Sequence, residues 1–123
     1  MLKRKNRLSR NKDFERVFQE GKKYNFLENG FYIKVCKNNL DISRFGIIVN
    51  KKVSKKAVVR NRIKRIIREI IRLNIEEIKK GIDVVIVILP NFKKEKFQQT
   101  QEIIKRAFQE AKIWKNNLEQ MRK

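Results

Sequence analysis

The chain has no histidine and only one cysteine, and its 13 acidic residues are outnumbered by 33 lysines and arginines. Without histidine, Ser-His-Asp and Cys-His nucleophiles and His-ligated metal sites are excluded. Cys36 has no second thiol to close an internal disulfide, which fits a reducing compartment, and it reads as a buried or half-buried small residue. Carboxylates are scattered. Glu76 and Glu77 are adjacent and would diverge on a helix, and no spacing suggests the convergent set that holds two metal ions about 4 Å apart. There is no glycine-rich phosphate loop. The longest apolar run, residues 84–89, falls far short of the ~20 needed to span a bilayer. No apolar stretch of a signal peptide follows the basic N-terminus. The expectation is a cytoplasmic protein with no catalytic residue, metal site or cofactor of its own, and with neither a membrane nor a small molecule as partner.

What is abundant is positive charge, a formal +20 on 123 residues. With 41% hydrophobic residues and clear periodic segments, the sequence describes a folded body rather than disorder, and one domain of 1–123 is expected. Fields of that sign favour a polyanion. The charge peaks in residues 51–73, where ten residues are basic and only Glu69 is acidic. Val59, Ile63, Ile66, Ile67 and Ile70 share one stripe of a helix. Asn61, Lys64, Arg65, Arg68 and Arg72 project from the other side, with Arg60 and Arg62 on the flanks. The like-charged i, i+4 pairs each cost on the order of 0.2–0.5 kcal/mol, which a nucleic-acid partner would offset.

The rest of the chain can be read in order. Residues 1–10 carry five bases and no acid, the composition of a flexible or RNA-ordered arm. Asn11 is placed to cap a first helix that Gly21 ends, with Phe14, Val17 and Phe18 on one face. Residues 22–30 read as an irregular polar connection with a turn at Asn29-Gly30. Residues 31–37 alternate, with Phe31, Ile33 and Val35 toward the core and Tyr32, Lys34 and Cys36 away from it. A turn over 38–41 leads to a strand over 44–50, where Gly46 would allow close approach of another backbone. Ser54 is the best N-cap for the basic helix, expected to begin near Lys55 or Lys56. Residues 83–89, ended by Pro90, read as a buried inner strand. A last helix is expected over about 94–115, with Phe97, Ile104, Ala107, Phe108, Ala111 and Trp114 as its core stripe. The tail over 116–123 should fray.

Phe45-Gly46-Ile47-Ile48-Val49, followed by Lys51-Lys52-Val53-Ser54-Lys55-Lys56-Ala57-Val58-Val59-Arg60-Asn61-Arg62-Ile63-Lys64-Arg65, closely resembles the signature of the bacterial ribonuclease P protein subunit. Arg60-Asn61-Arg62 looks like that family's RNR motif, and Arg7-Leu8, Asp13-Phe14, Val17-Phe18 and Gly21 resemble its opening. Lys55-Lys56 departs from the smaller, glycine-containing turns frequent there and makes the approach to the helix more basic. The resemblance implies an α+β fold, an α/β sandwich on one mixed sheet in the order α-β-β-(β)-α-β-α, like the second domain of a ribosomal protein. It also implies one short strand not placed by pattern and a left-handed βαβ crossover, against the general right-handed rule.

The resemblance further implies a division of labour. The RNA subunit is the catalyst, using bound Mg²⁺, and the protein binds that RNA and the 5′ leader of precursor tRNA. Carried over residue by residue, Lys55, Lys56, Arg60, Asn61, Arg62, Lys64, Arg65 and Arg68 would dock on the RNA subunit. Phe14, Phe18, Tyr32, Lys34, Lys51 and Lys52 would hold the leader by stacking and charge. A ribosomal-type RNA-binding protein without an enzymatic partner is the main alternative: it needs the basic helix but not the aromatic set. A DNA-binding module lacks helix-turn-helix spacing, and membrane-surface binding would take the apolar stripe that the core requires.

Overall fold

Alternation along β2 (Phe31–Lys37) divides the molecule into two layers. Phe31 and Ile33 are buried on one face, while Tyr32, Lys34 and Cys36 stay half-buried on the other. The computed structural model describes residues 2–93 and 96–115. Its other elements are α1 (Asn11–Glu20), β1 (Lys22–Phe26), β3 (Arg44–Val49), α2 (Ala57–Leu73), β4 (Ile82–Ile88) and α3 (Phe97–Glu110). The four strands make one mixed sheet in the order β1-β2-β4-β3. β2 runs antiparallel to both neighbours, and β3 pairs parallel with β4. This is the expected α+β architecture.

The continuous apolar run of β4 suits its inner place, with residues 83–88 all buried. On the first face, Phe31, Ile33, Phe45, Ile47, Val84, Ile86 and Ile88 pack with Ile63, Ile67, Ile70 and Ile71 of α2 and with Ile104, Ala107 and Phe108 of α3. The second face is smaller: Val85 and Val87 pack with Leu8 and with Val17 of α1. Each buried isoleucine of α2 contributes about 1.5–3 kcal/mol. Four of them exceed the few tenths lost at each like-charged pair on the outer face, so the helix folds despite its charge.

Several expectations change. Residues 22–26 are not irregular but form the edge strand β1, pairing Lys22 with Val35 through Phe26 with Phe31. Phe26 stacks on Phe31 with centroids 5.3 Å apart, and Gly30 takes the left-handed φ of 80° that the turn into β2 needs. Residues 2–10 are not a loose arm. Leu2 and Leu8 are buried, Arg7 bridges in parallel to Phe45, and the Leu8 amide donates to the Phe45 carbonyl at 2.9 Å. The segment thus lies along the β3 edge, with Leu2 in the first core and Leu8 in the second.

At α1, Arg10 rather than Asn11 occupies the N-cap position, and no side chain caps it. α3 ends at Glu110 instead of about 115. Ile113 and Trp114 lie beyond its last turn. Lys112 turns the chain at φ 61°, and both residues are buried in a segment that bridges Ile78 to Trp114. Phe97, expected in the core stripe, stands at the first turn of α3 and is 38% exposed. The expected tail over 116–123 and the helix start at Lys94 lie outside the described residues.

Candidate nucleic-acid interface

Strand register assembles the second face of the sheet. Lys23, Lys34, Val85 and Gly46 form one cross-strand row, and Asn25, Tyr32, Val87 and Ile48 form the next. α1 lies over this face by Val17, which is fully buried, and leaves Phe14 and Phe18 half-buried at its border. Phe14, Phe18, Tyr32 and Ile48 therefore pack around one apolar patch. The result is an aromatic-walled surface whose floor, the row Tyr32–Val87–Ile48, alternates with the core beneath.

Two lysines charge this surface. Lys23, which pattern reading placed in an irregular connection, holds its Nζ 4.3 Å from the Tyr32 ring centroid. Lys34 places its Nζ 5.7 Å from the Phe18 centroid and donates to the Phe18 carbonyl at 2.6 Å. That cation complements the negative C-terminal end of α1, so Lys34 is a tie between helix and sheet as well as a positive charge. Lys51 and Lys52 are exposed in the turn that leaves β3. The Lys52 amide donates to Asn50 Oδ1 at 2.9 Å. On the chain they follow β3, beyond Ile48 and Val49.

Gly46 is required by a side chain and not, as expected, by a backbone. A Cβ there would stand 2.4 Å from Phe14 Cε1 and 3.3 Å from Leu8 Cβ. Gly46→Ala must displace the Phe14 ring, and overpacking of this kind costs about 1–3 kcal/mol. A urea denaturation midpoint unchanged from the parent chain would show that the ring has room to move.

A charge cluster that sequence reading missed anchors α1. Asp83, fully buried in β4, accepts from Arg44 Nε at 2.9 Å and Arg44 Nη2 at 2.7 Å, and from Asn38 Nδ2 at 2.9 Å. It also pairs with Arg16 of α1, which donates to the Lys37 carbonyl at 3.0 Å. Burial pushes the Asp83 carboxyl up, but the hydrogen bonds from Arg44 and Asn38 and the charges of Arg44 and Arg16 outweigh it and hold the carboxyl below its ordinary value. Arg44 is raised in turn, chiefly by its bond to Asp83. Only a strand-initial aspartate was visible in the sequence; its partners lie 39, 45 and 67 residues away.

The basic helix turns a second surface outward. Lys55, Lys56, Asn61, Arg62 and Arg65 are exposed, and Arg60, Lys64 and Arg68 are half-buried. Arg60 is less free than its motif position suggests, because its Nη1 donates to the Ser54 carbonyl at 2.7 Å and holds the loop before α2. Ser54 is not the N-cap. Lys56 occupies that position without a side-chain cap, and Ser54 Oγ accepts from the Lys56 amide at 3.2 Å. Arg72 is offset by Glu69, with Nε–Oε1 at 2.6 Å. Arg68 is lowered from its ordinary value by burial and then by the nearby charge of Arg7. The two surfaces are distinct: the aromatic one lies on the α1 face, and α2 packs on the other.

Comparison with known proteins gives one consistent match. A family model described as Ribonuclease P matches residues 2–112. The ribonuclease P protein component of a Pseudanabaena species is 35% identical over 120 residues, covering 95% of this chain and all of that protein. Its counterpart in Dictyoglomus turgidum is 38% identical over 111 residues, 89% of this chain and 91% of that protein. Among solved structures, Staphylococcus aureus RNase P protein superposes with a TM-score of 0.79 at 30% identity, covering 89% of this chain and 97% of that one. The RNase P protein from Thermotoga maritima gives 0.72 at 36% identity, with 81% and 92% covered.

Proposed function

Because the chain belongs to the ribonuclease P protein family, we propose that it is the RNA-binding subunit of a ribonucleoprotein that removes the 5′ leader of precursor tRNA. The observation that carries the finer reading is the pairing of two surfaces on opposite faces of one sheet. One is a basic helix with Arg62 and Arg65 exposed. The other is the aromatic surface of Phe14, Phe18 and Tyr32 with Lys23 and Lys34 beside the rings. A ribosomal-type RNA-binding protein would need only the first.

In this reading α2, with Lys55, Lys56, Arg60, Asn61, Arg62, Lys64, Arg65 and Arg68, docks on the RNA subunit. Arginine forks suit phosphate bidentately, and Arg60 contributes by shaping the loop that presents Lys55 and Lys56. Single-stranded leader crosses the α1 face, its bases stacking on the aromatic side chains and its phosphates drawn by Lys23, Lys51 and Lys52. Hydrolysis of the leader phosphodiester belongs to the RNA subunit, whose Mg²⁺ supplies the metal chemistry. Two of the chain's carboxylates do not suit that ion: Asp83 is saturated by Arg44, Arg16 and Asn38, and Asp13 faces Arg44 at 3.4 Å. The protein positions, and by neutralising two RNA strands brought together it lowers the Mg²⁺ needed for assembly. We place this work in the cytoplasm; no described helix is long and apolar enough to cross a membrane.

The leader assignment is tested with the reconstituted holoenzyme and two ligands, precursor tRNA and the same tRNA without its leader. Tyr32→Ala removes one stacking platform worth about 1–3 kcal/mol. It is expected to weaken precursor binding about tenfold and leave mature tRNA binding unchanged. Equal weakening for both ligands would remove the leader from this surface.

A further inference from the structure

On the face opposite the leader surface, α2, the N-terminal segment and the start of α3 enclose a groove of about 400 Å³. Arg7, Arg62, Arg65 and Arg68 surround it, and Leu2, Ile66 and Phe97 supply its apolar lining. None of the four arginines makes an ion pair among the described residues, although Arg7 is held in place by Nε donating to the Leu2 carbonyl at 3.0 Å. The one acid among the described residues lining the groove, Glu69, is bridged at both oxygens by Arg72, at 2.6 and 3.0 Å. Arg68 is partly buried and stands in the field of Arg7, so positive charge is concentrated here, four guanidinium groups against one described carboxylate that Arg72 already bridges. Phe97 turns a large exposed ring to the same space at the first turn of α3, where core packing would have hidden it.

Four guanidinium groups around an aromatic ring and an apolar floor match one ligand chemistry, a nucleotide whose base stacks while its phosphates are paired. The groove volume lies within the usual range for a site of that size, about 300–1,000 Å³. We propose that this groove captures an unpaired nucleotide of the RNA subunit. The base stacks on Phe97 over Ile66 and Leu2, and the flanking phosphates are held by Arg7 and Arg68 from opposite walls and by Arg62 and Arg65 at the rim. The inference rests on α2 docking to the RNA subunit and extends that interface to two segments outside the helix. The nucleotide comes from the RNA subunit and not from the leader, because the leader surface lies across the sheet under α1. A paired base could not enter, since its edge and one face are committed to the duplex. The site therefore reads a bulge, loop or end in the docked RNA.

The test uses the full chain bound to a bacterial ribonuclease P RNA, with affinity measured alongside per-nucleotide chemical probing of RNA flexibility. Phe97→Ala is expected to weaken binding about tenfold and to make one or two single-stranded nucleotides newly reactive. Phe97→Trp, which keeps a stacking face, should restore both. Arg7→Ala should expose the same nucleotides, and thermal melts of the free variants check that each remains folded. Parental affinity and an unchanged reactivity pattern in Phe97→Ala would overturn the groove site, as would failure of Phe97→Trp to restore protection. An Arg62→Ala/Arg65→Ala control separates the two levels. If it weakens binding while Phe97→Ala does not, α2 docking stands without the groove; if neither weakens binding, the docking assignment falls as well.

Discussion

Asp83→Ala is expected to lower the unfolding free energy by about 2–4 kcal/mol, the largest stability effect of any single polar substitution considered for this chain. Removing one partner of a buried ion pair costs about 3–5 kcal/mol, because the remaining charge stays desolvated. The range is reduced here since the Arg44 and Arg16 side chains are 22% and 28% exposed and regain some water. Asp83→Asn keeps an acceptor for Asn38 and Arg44 and should lose less. The cluster also gives stability a pH signature. The folded carboxyl lies below its ordinary value, so its contribution is complete above the unfolded value near 4 and is lost as pH falls through the folded one. Urea denaturation should show the gap between parent and Asp83→Asn steady from neutral pH to about pH 5, then closing below about pH 4. A gap that persists unchanged under acid would assign the loss to packing rather than charge. Because Arg16 belongs to α1, the same variant loosens the helix that carries Phe14 and Phe18.

The second large effect is on RNA affinity. Arg62→Ala/Arg65→Ala removes two exposed guanidinium groups from the proposed docking face of α2 and should weaken binding to the RNA subunit by about 10–100-fold at low salt. Each lost phosphate contact reduces the slope of log affinity against log salt by about 0.7–0.9, so the double variant should be flatter by about 1.4–1.8. Stability should change by no more than about 0.5 kcal/mol, as for other exposed positions. This pair is a cleaner probe than one containing Arg60, whose truncation also frees the Ser54 loop. A weakened complex with an unaltered salt slope would mean that the two arginines act by shape and not by pairing phosphates.

Strong periodicity explains which parts of the fold were legible in sequence. β2 follows strict alternation over residues 31–37, β4 follows a β-branched run, and α2 follows an isoleucine stripe that includes Ile63, Ile67 and Ile70. β1 was hidden because Lys22, Lys23 and Asn25 are exposed and the strand exists only through pairing with β2 and the contacts of Lys23 with Tyr32 and Phe26 with Phe31. The N-terminal segment was hidden for a related reason: Leu2 and Leu8 are two apolar residues in a basic run, and their burial depends on the remote β3 edge. In the candidate site, Phe14, Phe18 and Tyr32 could be named from their motif positions, and the register then brings them around one patch. Lys23, Asp83 and Phe97 could not. Their roles depend on partners or spaces contributed by other elements.

The central claim is that this chain works as the protein half of a leader-removing ribonucleoprotein. Its most direct test is 5′-leader cleavage of a precursor tRNA at low Mg²⁺, comparing the chain alone, a bacterial ribonuclease P RNA alone, and the two together. Cleavage in the mixture, with little or none from either component at that Mg²⁺ concentration, is the expected result. Raising Mg²⁺ should bring the RNA alone toward the rate of the mixture. Identical Mg²⁺ curves with and without the chain would contradict the claim, and would leave a salt-sensitive RNA-binding protein of the ribosomal type.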